Sequence, residues 1–245
     1  MIYIANWKMY GNPSDIERLK PIIKLSNHKN YKKCKIIYCP PFTLINQFKK
    51  KLKNSKILLG AQNCHENFDN GPFTGSINCK MIKNAGAKFV IIGHSENRIN
   101  ENNFLINKKL KSAIKEKLSV IFCIGETYSE KRKKKTNLVL KKQITTGLQN
   151  INKIKNIVIA YEPRWSIGTG MIPNEGDLVK TIEYIRNLIF IKNRKLQKIK
   201  VLYGGSVNSK NVKEIVKIRG IDGLLVGRAS LNPKKFIDII KKSIN

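Results

Sequence analysis

Residues 157–170 read IVIAYEPRWSIGTG, which joins an apolar run to a carboxylate, a proline and a glycine-rich segment. The run before Glu162 is rich in β-branched residues, which is typical of a strand buried on both faces. Pro163 cannot donate a ladder hydrogen bond, so we expect the strand to end at the carboxylate. The segment Pro163–Gly170, with the bulky Trp165 and two glycines, is typical of a mobile flap. The stretch therefore predicts a general base at a strand end, beside a flap that excludes water.

Similar short apolar runs recur at even intervals along the rest of the chain. We interpret eight of them as strands, at Tyr3–Trp7, Lys35–Cys39, Ile57–Gln62, Phe89–Gly93, Val120–Ile124, Val158–Tyr161, Val201–Tyr203 and Gly223–Val226. Lysine-rich amphipathic segments between them predict helices, for example Phe104–Lys117 with Leu105, Leu110, Ala113 and Ile114 inward, Leu178–Ile191 with Ile182, Ile185 and Ile189 inward, and a closing helix at Pro233–Ile244. Eight strands, each followed by a helix, in 245 residues predict an α/β fold, the (β/α)8 barrel of eight parallel strands ringed by helices. No Pro-, Gly- or Ser-rich linker divides the chain, so we expect one domain over residues 1–245.

Composition narrows the class of protein. Hydrophobic residues make up 41% of the chain, which argues against disorder, and no apolar run approaches the ~20 residues of a membrane span. The N-terminal residues lack a charged leader and a long apolar stretch, so they favour a strand over a signal peptide. None of the five cysteines forms a C-x-x-C pair, which favours free thiols in a reducing cytosol. We therefore expect a cytoplasmic protein with no metal and no cofactor.

The charge balance is strongly basic, with 48 Lys and Arg against 16 Asp and Glu. One interpretation is binding to nucleic acid or to an anionic membrane. The other is a lysine-rich surface that reflects composition alone, and we favour it because the densest run, Lys131–Lys135, is short and lacks interleaved aromatics. We expect no specific nucleic acid and no membrane, although a cationic patch stays open because the sequence does not show how the lysines cluster.

Polar residues and glycines gather where the predicted strands end. They are Asn6-Trp7-Lys8, Gly93-His94-Ser95-Glu96, Cys123-Ile124-Gly125-Glu126, Glu162, Tyr203-Gly204-Gly205-Ser206 and Val226-Gly227-Arg228-Ala229-Ser230. Each alone is more often structural: a solvated lysine, a hydrogen-bonded histidine or a tight glycine turn. Because barrel strands end around one mouth, the set together predicts a site with a cation, an imidazole, a carboxylate and two glycine-rich loops.

These motifs resemble the triosephosphate isomerase family from end to end. The matching segments occur in the family's order, at Asn6-Trp7-Lys8-Met9, Gly60-Ala61-Gln62-Asn63, Phe73-Thr74-Gly75, Gly93-His94-Ser95-Glu96, Cys123-Ile124-Gly125-Glu126, Tyr161-Glu162-Pro163, Trp165, Ile167-Gly168-Thr169-Gly170, Tyr203-Gly204-Gly205-Ser206-Val207, Leu225-Val226-Gly227 and Ala229-Ser230-Leu231. The resemblance implies reversible isomerisation of dihydroxyacetone phosphate and glyceraldehyde 3-phosphate, in glycolysis, gluconeogenesis and the pentose shunt. The alternatives are a basic barrel scaffold that binds anionic polymers without catalysis, and another phosphate-binding barrel enzyme.

The resemblance also implies catalytic roles. Glu162 is expected to act as the base and His94 as the electrophile. In this family, an established case of pKa tuning, the histidine is a neutral imidazole whose pKa is lowered at a helix N-terminus, which Ser95 to Asn97 could begin here. Lys8 is expected to supply positive charge to the oxygen on which negative charge develops and to the phosphate, Asn6 to position Lys8 and the substrate, and Glu96 to hold Lys8 or substrate groups. A carboxylate at a helix N-terminus is the structural alternative for Glu96.

Phosphate binding is expected from backbone N–H groups on three loops, at Gly168, Ser206, Gly227 and Arg228. Tyr203 and Ser206 resemble the residues that hydrogen-bond the closed flap. Two arginines depart from the family pattern: Arg164 replaces an apolar residue in the flap hinge, and Arg228 replaces a glycine beside the phosphate.

A homodimer is the last implication of the resemblance. The loop Cys64–Asn78 is expected to reach a second subunit, with Thr74 near that subunit's Asn6 and Lys8. Ser76 and Asn97 stand where the family has a Glu and an Arg that pair across the interface. Because both charges are lost together, no ion is left unpaired, and we expect the dimer to persist with a neutral contact.

Overall fold

Eight parallel strands form a closed barrel in the computed structural model, which describes residues 1–152, 154–192 and 199–244. The strands are β1 Ile2–Asn6, β2 Lys35–Cys39, β3 Leu58–Ala61, β4 Phe89–Ile92, β5 Ser119–Ile124, β6 Ile157–Tyr161, β7 Lys200–Tyr203 and β8 Gly223–Val226. Each strand pairs with the next, and β8 pairs with β1, where Ile2 lies opposite Gly223. The predicted (β/α)8 barrel is confirmed.

Helices connect the strands around the outside of the barrel. Those in the described residues are α1 Lys20–Asn27, α2 Ile45–Lys51, α3 Cys79–Asn84, α4 Asn103–Lys115, α5 Tyr128–Arg132, α6 Thr136–Gly147, α7 Glu175–Lys192, α8 Val212–Lys217 and α9 Pro233–Lys242. Parallel strands require such crossovers, because each connection must return to the same end of the sheet. None of these helices is long and apolar enough to cross a membrane.

The alternation of side chains across each strand separates two cores. One core packs between strands and helices and includes Tyr3, Ile36 and Val120. The other fills the barrel and consists of Ile4, Ile37, Cys39, Phe89, Ile91, Ile121, Cys123, Ala160, Leu202 and Leu225. Because every second side chain of a strand faces the same side, Asn6 lies on the same face as Ile4, and Glu162 on the same face as Ala160. The barrel core therefore ends in polar side chains at its carboxyl mouth.

The inward face of α4 differs in part from the prediction. Leu110 and Ala113 are buried as expected, but Leu105 is half-buried and Ile106 occupies the core position instead. Lys109 is also buried on this helix, where its Nζ lies 2.6 Å from Glu101 Oε1. Because this ion pair compensates the buried charge, a lysine is accommodated at a position that a hydrophobic pattern does not predict.

Candidate active site

A cavity of about 130 Å³ opens at the carboxyl ends of the strands. Its walls include every residue predicted to bind substrate or phosphate, together with the predicted base and electrophile: Asn6, Lys8, His94, Glu162, Gly168, Ser206, Gly227 and Arg228. Glu96 is the one predicted site residue outside these walls, and it is connected to them through Lys8. The structure thus brings together residues from β1, β4, β6, β7, β8 and the flap.

Glu162 is held in place by the strands on both sides of β6. Its N–H donates to the carbonyl oxygen of Ile124 at 2.7 Å, and its side chain is buried. A Cβ atom at Gly204 would lie 2.7 Å from Glu162 Cγ, and one at Gly125 would lie 1.8 Å from its carbonyl oxygen. Both neighbours must therefore be glycine for the carboxylate to occupy this position.

Glu162 and His94 face each other inside the cavity. Glu162 Oε1 lies 3.3 Å from His94 Nε2, and Glu162 Oε2 accepts a hydrogen bond from the Ser95 N–H at 3.4 Å. Burial raises the pKa of Glu162, but the charge and hydrogen bond of His94, aided by Ser95 and the Cys123 thiol, outweigh it. The pKa of Glu162 therefore lies below its ordinary value, and the carboxylate is ionised at neutral pH.

The predicted lowering of the His94 pKa is wrong for this conformation. Burial lowers the pKa, yet the Glu162 carboxylate outweighs burial, so the pKa lies above its ordinary value. Only the single 3-10 turn Asn97–Ile99 follows, and a short turn offers a weak dipole. The Glu96 N–H donates to His94 Nδ1 at 3.3 Å, so the neutral ring carries its proton on Nε2, which faces the cavity.

Lys8 is positioned by a backbone conformation that side chains rarely adopt. Its φ is +52°, in the left-handed region. The Asn6 Oδ1 atom accepts from the Lys8 N–H at 3.0 Å, and Gln62 Nε2 donates to the Lys8 carbonyl oxygen at 2.8 Å. The Lys8 ammonium donates to Glu96 Oε1 at 2.7 Å. Asn6 and Glu96 thus both contact Lys8, their roles stay predictions, and Gln62 adds a contact that we did not predict.

Ser166 anchors the flap at its centre. Its hydroxyl is buried, donates to the Met171 carbonyl oxygen, lies 2.9 Å from Tyr203 Oη and accepts from the Ser206 N–H at 3.2 Å. Burial raises the pKa of Tyr203 to about 12, so its hydroxyl keeps the proton that it donates. The Ser206 N–H, a predicted phosphate donor, is therefore occupied by the flap in this conformation. We did not predict this role for Ser166, because a serine inside a flap sequence has no distinguishing pattern.

Trp165 anchors the flap to β5. Its Nε1–H donates to Glu126 Oε1 at 2.9 Å, and the Tyr161 hydroxyl bonds the same carboxylate. The Lys131 ammonium lies 3.7 Å from the centre of the Trp165 ring, a cation–π contact. The position of Glu126 directly after β5 indicated a residue at the barrel mouth. The sequence alone did not indicate that Trp165 would bond to it.

The structure defines a (β/α)8-barrel protein in which a carboxylate and an imidazole face one cavity. A family model described as triosephosphate isomerase matches residues 1–243. The chain belongs to the triosephosphate isomerase family.

Relatives resemble the chain over its whole length. A triosephosphate isomerase from Dictyoglomus turgidum is 43% identical and one from Buchnera aphidicola is 39% identical, the alignments covering 98% and 100% of this chain and 98% of each relative. The crystal structure of triosephosphate isomerase from Bartonella henselae superposes with a TM-score of 0.90 at 33% identity, covering 100% of this chain and 99% of that one.

Proposed function

We propose that this chain interconverts dihydroxyacetone phosphate and D-glyceraldehyde 3-phosphate in glycolysis and gluconeogenesis, as an aldose–ketose isomerase, with Glu162 and His94 as its catalytic pair. Family membership supports the reaction, and one observation carries the assignment of residues. An ionised carboxylate and a ring N–H lie 3.3 Å apart in a cavity that also contains an ammonium group. A base, a hydrogen-bond donor and a cation are the groups that proton transfer beside a carbonyl requires.

The proton moves between neighbouring carbons. Glu162 removes it from the carbon beside the carbonyl, which leaves an enediolate, and returns it to the former carbonyl carbon. His94 donates its Nε2 proton to the carbonyl oxygen on which negative charge develops and accepts the proton of the neighbouring hydroxyl, whose oxygen becomes the new carbonyl oxygen. Lys8 offsets that charge, while Glu96 fixes the ammonium and Asn6 fixes the Lys8 backbone.

Phosphate binding belongs to the loops around the same cavity. The backbone N–H groups of Gly168, Ser206, Gly227 and Arg228 are the proposed donors, because these residues line the cavity. The Ser206 N–H now bonds the Ser166 hydroxyl, so the dianion must displace or share that contact. Phosphate binding and flap position are thereby coupled through one donor.

Assembly into a homodimer completes the proposal. Residues 71–76 of the loop Cys64–Asn78 are all exposed, and Phe73 and Met9 leave apolar surface uncovered. The dimer contact includes Thr74, with Ser76 and Asn97 forming a neutral contact. We place the single domain, residues 1–245, in the cytoplasm, without a membrane or specific nucleic-acid partner and without a cofactor.

Isomerisation of glyceraldehyde 3-phosphate tests this function. We expect wild-type turnover and a fall in kcat of about 10²- to 10⁴-fold in Glu162→Asp, since shortening the side chain withdraws the base. Glu183→Asp, on the exposed face of α7, is the matched control and should retain wild-type kcat. Wild-type turnover equal to buffer alone contradicts the proposal. The scaffold alternative has no observation in its favour, and a gel shift with nucleic acid at physiological salt tests it.

A further inference from the structure

Arg228 places a charged residue in the wall of the cavity. It begins the 3-10 turn Arg228–Leu231, directly after β8 and Gly227. The residue is exposed, and it lines the same cavity as Ser206 and Gly227. No ion pair within the described part of the chain includes its guanidinium. Arg228 thus presents a cation whose charge no neighbouring carboxylate offsets.

The other charges of the cavity are already engaged. Lys8 lies 2.7 Å from a carboxylate oxygen of Glu96, and Glu162 adds a second negative charge beside His94. Backbone N–H groups supply only partial charges. Gly227 lies next to both Arg228 and Lys8. Arg228 follows it in the chain, and a Cβ atom at Gly227 would lie 3.5 Å from Lys8 Cε. Among the described residues that line this cavity, Arg228 is therefore the cation that no ion pair of 4 Å or less engages, whereas Lys8 is paired with Glu96.

We infer that the Arg228 guanidinium binds the dianionic end of the substrate and makes the site selective for phosphorylated over neutral carbonyl compounds. This inference rests on the proposed function and extends it from the backbone of residue 228 to its side chain. A guanidinium presents paired N–H donors that match two phosphate oxygens. Water competes at the exposed rim, so the contribution is smaller than that of a buried pair.

Arg228→Gln tests the inference, because it removes the charge and keeps a polar side chain. We expect KM for glyceraldehyde 3-phosphate and the inhibition constant of inorganic phosphate to rise about three- to tenfold, with kcat nearly unchanged. Turnover of D-glyceraldehyde, which lacks phosphate, should keep its kcat/KM. Arg228→Lys should recover part of the loss, since it restores the charge without the paired donors.

Arg219→Gln is the matched control. Arg219 is exposed and precedes the amino end of β8, so it lies at the end of the barrel away from the cavity. Its replacement changes the net charge by the same amount as Arg228→Gln does. We expect the KM of Arg219→Gln to equal that of the wild type. Equal effects of the two variants, no effect of Arg228→Gln, or an equal loss with D-glyceraldehyde would each overturn the inference. If the wild type does not turn over substrate, the proposed function fails, and calorimetric binding of inorganic phosphate to the same variants still tests Arg228.

Discussion

Glu162 and His94 set each other's protonation. Each lies within hydrogen-bonding reach of the other, and each shifts the pKa of the other toward the charged form. The ligand-free site therefore favours the charged form of both side chains, whereas the proposed reaction uses a carboxylate and a neutral ring. A substrate oxygen placed between the two side chains would separate them and favour the neutral imidazole.

His94→Gln should move the acidic limb of the pH profile. Burial raises the pKa of Glu162 and His94 lowers it, so without His94 the pKa rises. The base is lost as pH falls through its pKa, so kcat/KM of the variant should decline at a higher pH than that of the wild type. The measurement is kcat/KM against pH, with His28→Gln on the exposed surface as the control. An acidic limb that stays in place or moves to lower pH contradicts the coupling.

At the scale of elements, the flap depends on one buried hydroxyl cluster. Ser166 uses its single proton on the Met171 carbonyl oxygen, so its bonds to Tyr203 and Ser206 are both accepted. The flap sequence is thereby tied to the loop after β7, which also supplies the proposed phosphate donor. Any change at this cluster should act on flap position and substrate affinity together.

Tyr203→Phe should weaken the contact between the flap and the loop after β7. Losing one hydrogen bond of about 0.5–1.5 kcal/mol predicts a two- to twelvefold fall in kcat/KM for glyceraldehyde 3-phosphate. The flap should also become more susceptible to limited proteolysis. Tyr184→Phe, at the middle of α7, deletes the same atom from a half-buried side chain and is the matched control. Unchanged kcat/KM and proteolysis in Tyr203→Phe would show that the cluster does not hold the flap.

The strands could be predicted because they are buried on both faces. β2 Lys35–Cys39 and β8 Gly223–Val226 begin and end where the apolar runs do. The inward residues of α4 were harder to predict. Lys109, paired with Glu101, is buried where a hydrophobic side chain is expected, and Ile106 is buried in place of Leu105. Periodicity reports hydrophobic burial, and it does not report charges that are compensated by distant partners.

The site could be predicted where a motif follows a strand, as at His94 and Glu162. Its supports could not, since Gln62 reaches Lys8 and Glu126 reaches Trp165 across 54 and 39 positions of the chain. The pKa of His94 also required coordinates, because it depends on a carboxylate 3.3 Å away on another strand. Long-range polar contacts are the part of the site that a single sequence leaves undetermined.

At the scale of the whole molecule, the proposed homodimer would connect activity to assembly through the exposed loop after β3. The loop Cys64–Asn78 is pinned at its base, where the His65 N–H donates to the Ile77 carbonyl oxygen at 2.8 Å. Its tip, including Thr74, is exposed. A second subunit would bury this tip beside its own Lys8, whose position determines the charge at that subunit's cavity.

Thr74→Arg should separate the subunits. A long cation at the centre of a packed contact adds bulk and an unpaired charge, so the sedimentation coefficient should fall to that of a monomer and kcat should fall with it. Thr145→Arg, on the exposed surface of α6, adds the same side chain away from the loop and should remain dimeric. A Thr74→Arg variant that sediments as the wild type does would contradict the proposed interface, as would a monomeric wild type.

The central claim is that Glu162 carries the proton between the two carbons. The direct measurement is isomerisation in D2O, with deuterium in the product followed by NMR for the wild type and Glu162→Gln. Because a carboxylate base exchanges its proton with solvent, the wild type should place deuterium on the carbon that receives the proton. Glu162→Gln should lose both isomerisation and incorporation while still binding inorganic phosphate. Deuterium incorporation at the wild-type rate in Glu162→Gln would contradict the claim.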